Sequence, residues 1–119
     1  METPKHLFLQ REARPAFEVD SPWPGTVLQG DPHTLTMNSY TSPDGKLLMG
    51  IWQSTPGVWA IDYEDWEYCH LLEGRCVITP GNGVPVELAA GDVFVIEPGL
   101  KGTWEVLETV RKYYVFALS

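Results

Sequence analysis

The sequence predicts an all-β sandwich or barrel, and three observations carry that expectation. Turn chemistry punctuates the chain at Ser21-Pro22-Trp23-Pro24-Gly25, Pro43-Asp44-Gly45, Pro56-Gly57, Glu73-Gly74, Pro80-Gly81-Asn82-Gly83 and Pro98-Gly99. Between these breaks lie short runs rich in Val, Ile, Thr, Trp and Tyr, residues that suit a pleated, half-buried surface. No stretch of helical length shows amphipathic periodicity, so regularly spaced short strands remain. A chain of 119 residues with 44% hydrophobic content suits one domain whose core needs neither disulfides nor a structural metal.

In chain order, residues 1–20 read as an N-terminal arm, a strand or a dimer contact whose apolar part is "HLFL", and residues 21–119 as the barrel domain. Strands are expected over 34–41, 46–54, 58–63, 66–72, 75–79, 84–89, 92–97, 102–107 and 111–118. Asn82-Gly83 suits a tight hairpin turn, because both residues tolerate positive φ. A two-residue turn at Glu73-Gly74 would pair Leu72 with Arg75 and Leu71 with Cys76. Alternation then puts Glu67, Cys69, Leu71, Cys76 and Ile78 on an interior-like face, with Tyr68, His70, Leu72, Arg75 and Val77 on the other. Cys69 and Cys76 fall diagonally, which disfavours a disulfide and predicts reduced, mostly buried thiols.

Charge excludes several partners. With a net charge of -8 and only 8 Lys and Arg, the chain lacks the basic footprint that nucleic acid or an anionic membrane surface requires. No run approaches the roughly 20 apolar residues of a membrane span, and residues 1–20 lack a signal peptide's apolar stretch, so a cytoplasmic location is expected.

"EYCHLLEGRCVI" followed by "GDVFVIEPGLKGTW" resembles the paired motifs of the cupin superfamily, which implies a single small jelly-roll β-barrel. The first motif's glutamate and glycine are matched by Glu67 and Gly74, and the second motif's Gly-Asp and Pro/Gly turn by Gly91-Asp92 and Pro98-Gly99. More narrowly, "MGIWQSTPG", "EYCHLLEG" and "KGTWEVLETVRKYYVF" resemble single-domain cupins related to the (S)-ureidoglycine aminohydrolase cupin domain and the ethanolamine-utilisation cupins. The resemblance covers roughly residues 46–118.

The departures bear on chemistry. A cupin metal site takes two histidines before the glutamate and a third after the second-motif glycine. Here the first pair falls at Ile61 and Tyr63, or at Ala60 and Asp62 with a longer gap, and the third at Gly102. His70 alternates away from Glu67, while His6 and His33 lie outside both motifs. One carboxylate falls short of the three or four ligands a held transition metal requires, so no metal and no cofactor are expected.

Size suggests what fills the vacated space. Trp104 lies two residues beyond Gly102 and faces the same way, so its indole could occupy the volume of imidazoles and metal while Gly102 marks an empty ligand slot. One reading makes Trp104 a core residue with its N–H bonded to Glu67 or a carbonyl. The other makes it the wall of a ligand pocket shared with Glu67, Gly102, Tyr63 and Lys112, suited to a small polar or cationic ligand. Trp52, Trp59, Trp66 and Tyr114 offer further aromatic surface. Lys112 is the basic residue placed to join this site, its alternative being a solvated lysine at a strand edge.

Other chemistries lack support. No Gly-x-Ser-x-Gly elbow or phosphate-binding glycine loop is present, and adjacent Cys69 and His70 point to opposite faces, which rules against a catalytic dyad. The expected function is a metal-free barrel that binds a small metabolite or serves as an accessory dimer. The alternative is an enzyme acting on a small ureide or amine with Glu67 as catalytic acid/base, which depends on burial disfavouring its charged form. A surplus of aromatic residues on strand faces and the "HLFL" run predict a homodimer.

Overall fold

A computed structural model of the chain describes residues 5–119. After a 3₁₀ turn, Gln10–Glu12, come β1 (Phe17–Val19), β2 (Gly25–Gln29), β3 (Thr34–Thr41), β4 (Leu47–Ser54), β5 (Gly57–Asp62), β6 (Trp66–Pro80), β7 (Val86–Ala89), β8 (Val93–Ile96) and β9 (Lys101–Ala117). All pairings are antiparallel. The architecture is the small jelly-roll barrel that the sequence predicts.

Two long strands build it. β6 and β9 pair along nearly their whole length, Trp66 opposite Ala117 at one end and Pro80 opposite Gly102 at the other. One half of the β9 edge pairs with β4 and the other half with β5. The result is two sheets sharing bent strands, β1-β3-β4-β9-β6-β8 and β2-β5-β9-β6-β7. Their inner faces meet in a core that includes Trp52, Trp59, Ile61, Tyr63, Cys69, Leu71, Trp104 and Val110.

The predicted hairpin at Glu73-Gly74 does not form. β6 runs straight through it, with register irregularities between Leu71 and Cys76 that bend the strand from one sheet into the other. Gly74 carries φ 89°, and a Cβ there would lie 2.2 Å from the Thr109 carbonyl oxygen, so the bend needs glycine. The bulges shift side-chain parity just as a two-residue turn would. Glu67, Cys69, Leu71, Cys76 and Ile78 are therefore buried as expected, and for a different reason. β9 likewise joins the two strands expected over 102–107 and 111–118.

Asn82 and Gly83 also depart from expectation: neither takes positive φ, and the connection spans 81–85, closed by the Gly83 N–H on the Pro80 carbonyl at 3.0 Å. Both cysteines are free and buried. Within the arm read over 1–20, Phe17, Glu18 and Val19 form a strand that pairs with Met37, Thr36 and Leu35 inside the chain's own sheet. Phe8 packs against Tyr40, ring centroids 5.1 Å apart; residues 1–4 of the arm lie outside the described residues.

Candidate ligand cavity and its charged floor

Alternation along β6 turns Glu67 into the barrel with Cys69 and Leu71, and alternation along β9 turns Lys112 inward with Val110 and Tyr114. Lys112 stands opposite Leu71 in the register. Its flexible stem runs past Cys69, where Nζ is 3.7 Å from Sγ, and Nζ donates to Glu67 Oε2 at 2.8 Å. Tyr63, just past the end of β5, is fixed by its backbone N–H on the Leu100 carbonyl at 2.9 Å and by the Gly99 N–H on its own carbonyl at 2.7 Å. Its hydroxyl donates to Glu67 Oε1 at 2.6 Å. Both carboxylate oxygens are thereby engaged, and Glu67 and Lys112 are 0% and 1% exposed.

Tryptophans surround the ammonium. Nζ lies 4.6 Å from the Trp104 ring centroid, 4.8 Å from Trp52 and 5.9 Å from Trp23, within the range where a ring face attracts a cation. The rings pack on one another, Trp23 on Trp52 at 4.6 Å and Trp52 on Trp104 at 5.8 Å. Trp23, Trp52 and Trp104 leave their indole N–H groups without an oxygen or nitrogen acceptor; that of Trp104 interacts with the Cys76 sulfur. Trp59, by contrast, donates to Ser54 Oγ at 3.3 Å.

Burial dominates the proton chemistry. It opposes the charge on Lys112, yet the Glu67 carboxylate, which faces Nζ and accepts its hydrogen bond, outweighs it and raises the pKa. Burial pushes Tyr63 well up, reinforced by the Glu67 charge, and raises Cys69 too. Cys76 is pushed up to about 11 and Tyr114 to about 12, both chiefly by burial. At neutral pH the site thus holds an ammonium, neutral phenols and neutral thiols. Neither Lys112 nor the cysteines are poised as nucleophiles.

Above this floor opens a cavity of about 210 Å³. Its walls include Trp23, Trp52, Leu48 and Phe116, with Thr36, Ser21, Asp65 and Tyr114 supplying polar atoms, and Glu67 and Lys112 border its base.

A family model of the EutQ-like cupin domain matches residues 41–114. The chain belongs to the EutQ-like cupin family. Among solved structures, a protein of unknown function of the DUF861 family from Pseudomonas syringae pv. tomato superposes with a TM-score of 0.76 at 26% identity, covering 92% of this chain. The chain spans about half of that protein's length, 46%. A DUF861 family protein from Thermotoga maritima is 34% identical, with 54% of this chain and 73% of that one covered and a TM-score of 0.52. The EutQ protein of Clostridium difficile shares the fold, with a TM-score of 0.64 at 21% identity over 73% of this chain and 69% of its own. A comparison with curated proteins finds no match.

The residues present at the cupin metal positions do not fit a transition metal. Ile61 and Tyr63 are core side chains, and the Lys112 ammonium already stands against Glu67, where a second cation would meet a like charge. Among the described residues, no group of three or more His, Cys, Asp or Glu could hold an ion.

Of the residues singled out from sequence, Glu67 and Lys112 border the cavity, Tyr63 holds Glu67 from the barrel interior, and Trp104 backs the Lys112 ammonium. Trp104 and Glu67 are both fully buried, with the ammonium bonded to one and held against the ring of the other. The indole–carboxylate hydrogen bond considered for Trp104 is not formed. Gly102 is not an empty slot. A Cβ there would lie 2.0 Å from the Thr79 carbonyl oxygen, so this glycine permits close backbone approach between β9 and β6. The solvated-edge alternative for Lys112 is excluded by its burial. Sequence reasoning missed Trp23, hidden within a proline-flanked turn; the signal was an aromatic side chain on a stiff loop that a barrel mouth could bury.

Proposed function

We propose that this cupin binds a small metabolite in the barrel-mouth cavity without a metal ion, its own lysine supplying the cationic charge beside Glu67. The observation that carries this reading is a partly open aromatic cavity resting on a charge pair already satisfied inside the chain. A volume of about 210 Å³ equals on the order of seven waters at liquid density. It suits a compact metabolite with an apolar body against Trp23, Trp52 and Phe116 and a polar end toward Thr36, Ser21 and the Tyr114 hydroxyl. A ligand whose recognition rests on a cation in the tryptophan cage is disfavoured, because Lys112 fills that place.

The enzyme reading, with Glu67 as acid/base toward a ureide or amine, has weaker support, since both carboxylate oxygens are engaged and closed to solvent. In the same reading the protein is a homodimer in a reducing cytoplasm, a compartment that its two free, buried thiols suit. A thermal-shift and tryptophan-fluorescence screen of small ureides, amines and carboxylates tests the assignment. It expects at least one compound to raise the melting temperature and perturb Trp23 and Trp52 emission. Turnover of a ureide or amine by the folded wild-type chain would overturn it in favour of the enzyme.

A further inference from the structure

Asp65 is the charged residue of the cavity wall that has no counter-ion. Of the three charged residues that line the cavity, Glu67 and Lys112 neutralise each other, and no Lys, Arg or His among the described residues forms an ion pair with Asp65. It ends the β5–β6 connection, two residues before Glu67, and stays half-buried where Glu67 is sealed. The exposed Ser119 donates to Asp65 Oδ1 twice, from its backbone N–H and from its hydroxyl, both at 3.1 Å. Oδ2 is left without a hydrogen-bond partner among the described residues.

The other polar groups of the wall share this acceptor character. The Tyr114 hydroxyl gives its only proton to Asn38 Oδ1 at 2.8 Å, so its oxygen is left to accept. Ser21 and Thr36 hold each other, Oγ to Oγ1 at 3.0 Å, which spends one of their two protons. The donors nearby are closed off: the Lys112 ammonium is 1% exposed and bonded to Glu67, and the indole N–H groups of Trp23 and Trp52 are buried away from solvent. The wall therefore offers acceptors in excess, one of them a carboxylate, and the chain's net charge of -8 surrounds the mouth with a negative field. A ligand carboxylate or phosphate would meet lone pairs and like charge there, whereas an ammonium brings the donors and the charge that are missing.

We infer that the ligand is a small primary amine bound as its ammonium, with the charge against Asp65 Oδ2 at the mouth and the apolar body against Trp52 and Phe116. The inference rests on the cavity reading above and names its ligand class. The ligand's charge stays outside the tryptophan cage, which Lys112 keeps. Asp65 is then the residue that sets specificity, accepting amines and rejecting carboxylates of the same size.

Benzylamine, benzyl alcohol and benzoate share one ring and differ in the charge of the polar end, so they test the ligand class separately from the cavity. Calorimetric titration at neutral pH, with tryptophan emission followed alongside, uses the full chain, Asp65→Asn, and Glu64→Gln as a control from an exposed neighbour outside the cavity wall; circular dichroism verifies folding. The expected result is that the wild type binds benzylamine more tightly than benzyl alcohol and does not bind benzoate. Asp65→Asn should weaken benzylamine alone, by about tenfold or more, as for loss of a hydrogen bond to a charged group, and Glu64→Gln should leave all three unchanged. Benzoate binding to the wild type as tightly as benzylamine would overturn the ammonium assignment without recourse to a variant. So would a folded Asp65→Asn that keeps the benzylamine affinity, or a Glu64→Gln that loses as much. In each of these cases a bound probe that perturbs tryptophan emission leaves the cavity reading standing. Binding of none of the three would overturn both.

Discussion

β6 and β9 are joined by two ion pairs, one on each side of the bend at Gly74, and the pairs differ in everything except their chemistry. Arg75 Nε lies 3.2 Å from Glu108 Oε1 with side chains 56% and 59% exposed, whereas Lys112 Nζ lies 2.8 Å from Glu67 Oε2 with side chains 2% and 0% exposed. Water screens the first and can replace either partner, so the pair contributes little. The second has no water to fall back on. Its two charges were removed from solvent at large expense, and only the mutual contact, the Tyr63 hydroxyl and the tryptophan faces offset that. The lesson is that Lys112 is a component of the core. Deleting it leaves a stranded carboxylate rather than a missing surface contact.

The largest effect should follow from breaking the buried pair on one side. Lys112→Met is expected to destabilise by about 3–5 kcal/mol in denaturant unfolding, because Glu67 is left buried with Tyr63 alone. Adding Glu67→Gln should restore most of the loss, since a neutral amide still accepts from the Tyr63 hydroxyl; additive losses would dissolve the contrast between the two pairs. Trp104→Ala removes a fully buried ring that also faces the ammonium, and should cost about 3–5 kcal/mol. Tyr63→Phe sharpens the account of Glu67 Oε1: loss of a hydrogen bond to a charged group predicts about 1.5–3 kcal/mol by the same measurement. Arg75→Ala should change stability by only about 0–1 kcal/mol, and less in high salt.

The smallest effect is a pH dependence at the surface. His33 is raised above its ordinary 6.5 by hydrogen bonds to Asp20 and Asp31, and Asp20 is lowered by the Thr34 backbone N–H and by His33. The His33 contribution is therefore fully present below pH 6.5 and disappears as pH rises through its raised folded value. Asp20 behaves oppositely, contributing above 3.8 and losing its contribution as pH falls through its lowered folded value. His33→Gln should be less stable than wild type at about pH 5.5 and equal to it in alkaline buffer, by thermal unfolding.

Most of the barrel was legible in the sequence because turn residues and alternation report local backbone needs. The strand Thr34–Thr41 coincides with its expected range, and the buried parity of Glu67, Cys69 and Leu71 follows from period two. The bend at Gly74 was not legible, since a glycine in the left-handed region serves a hairpin and a bulged corner equally, and only the partner strand decides between them. Strand β1 was allowed within the arm but not located, because "FEV" is only three residues long and wholly exposed, and β2 was missed because "GTVLQ" is mostly exposed and shows no apolar alternation. Within the site, the inward direction of Glu67 was readable, whereas the pairing of Lys112 with it spans 45 residues and depends on two long strands lying side by side. Nothing local distinguishes that lysine from a solvated one.

The central claim is that the cation beside Glu67 belongs to the chain itself. Elemental analysis of the purified protein, grown in medium containing Mn, Fe, Ni and Zn, tests it most directly. The account predicts far less than one metal ion per chain, and the same for Glu67→Gln. A stoichiometric ion that is present in the wild type and lost in Glu67→Gln would contradict it, since Glu67 would then be a metal ligand and Lys112 Nζ could not occupy the position it holds here.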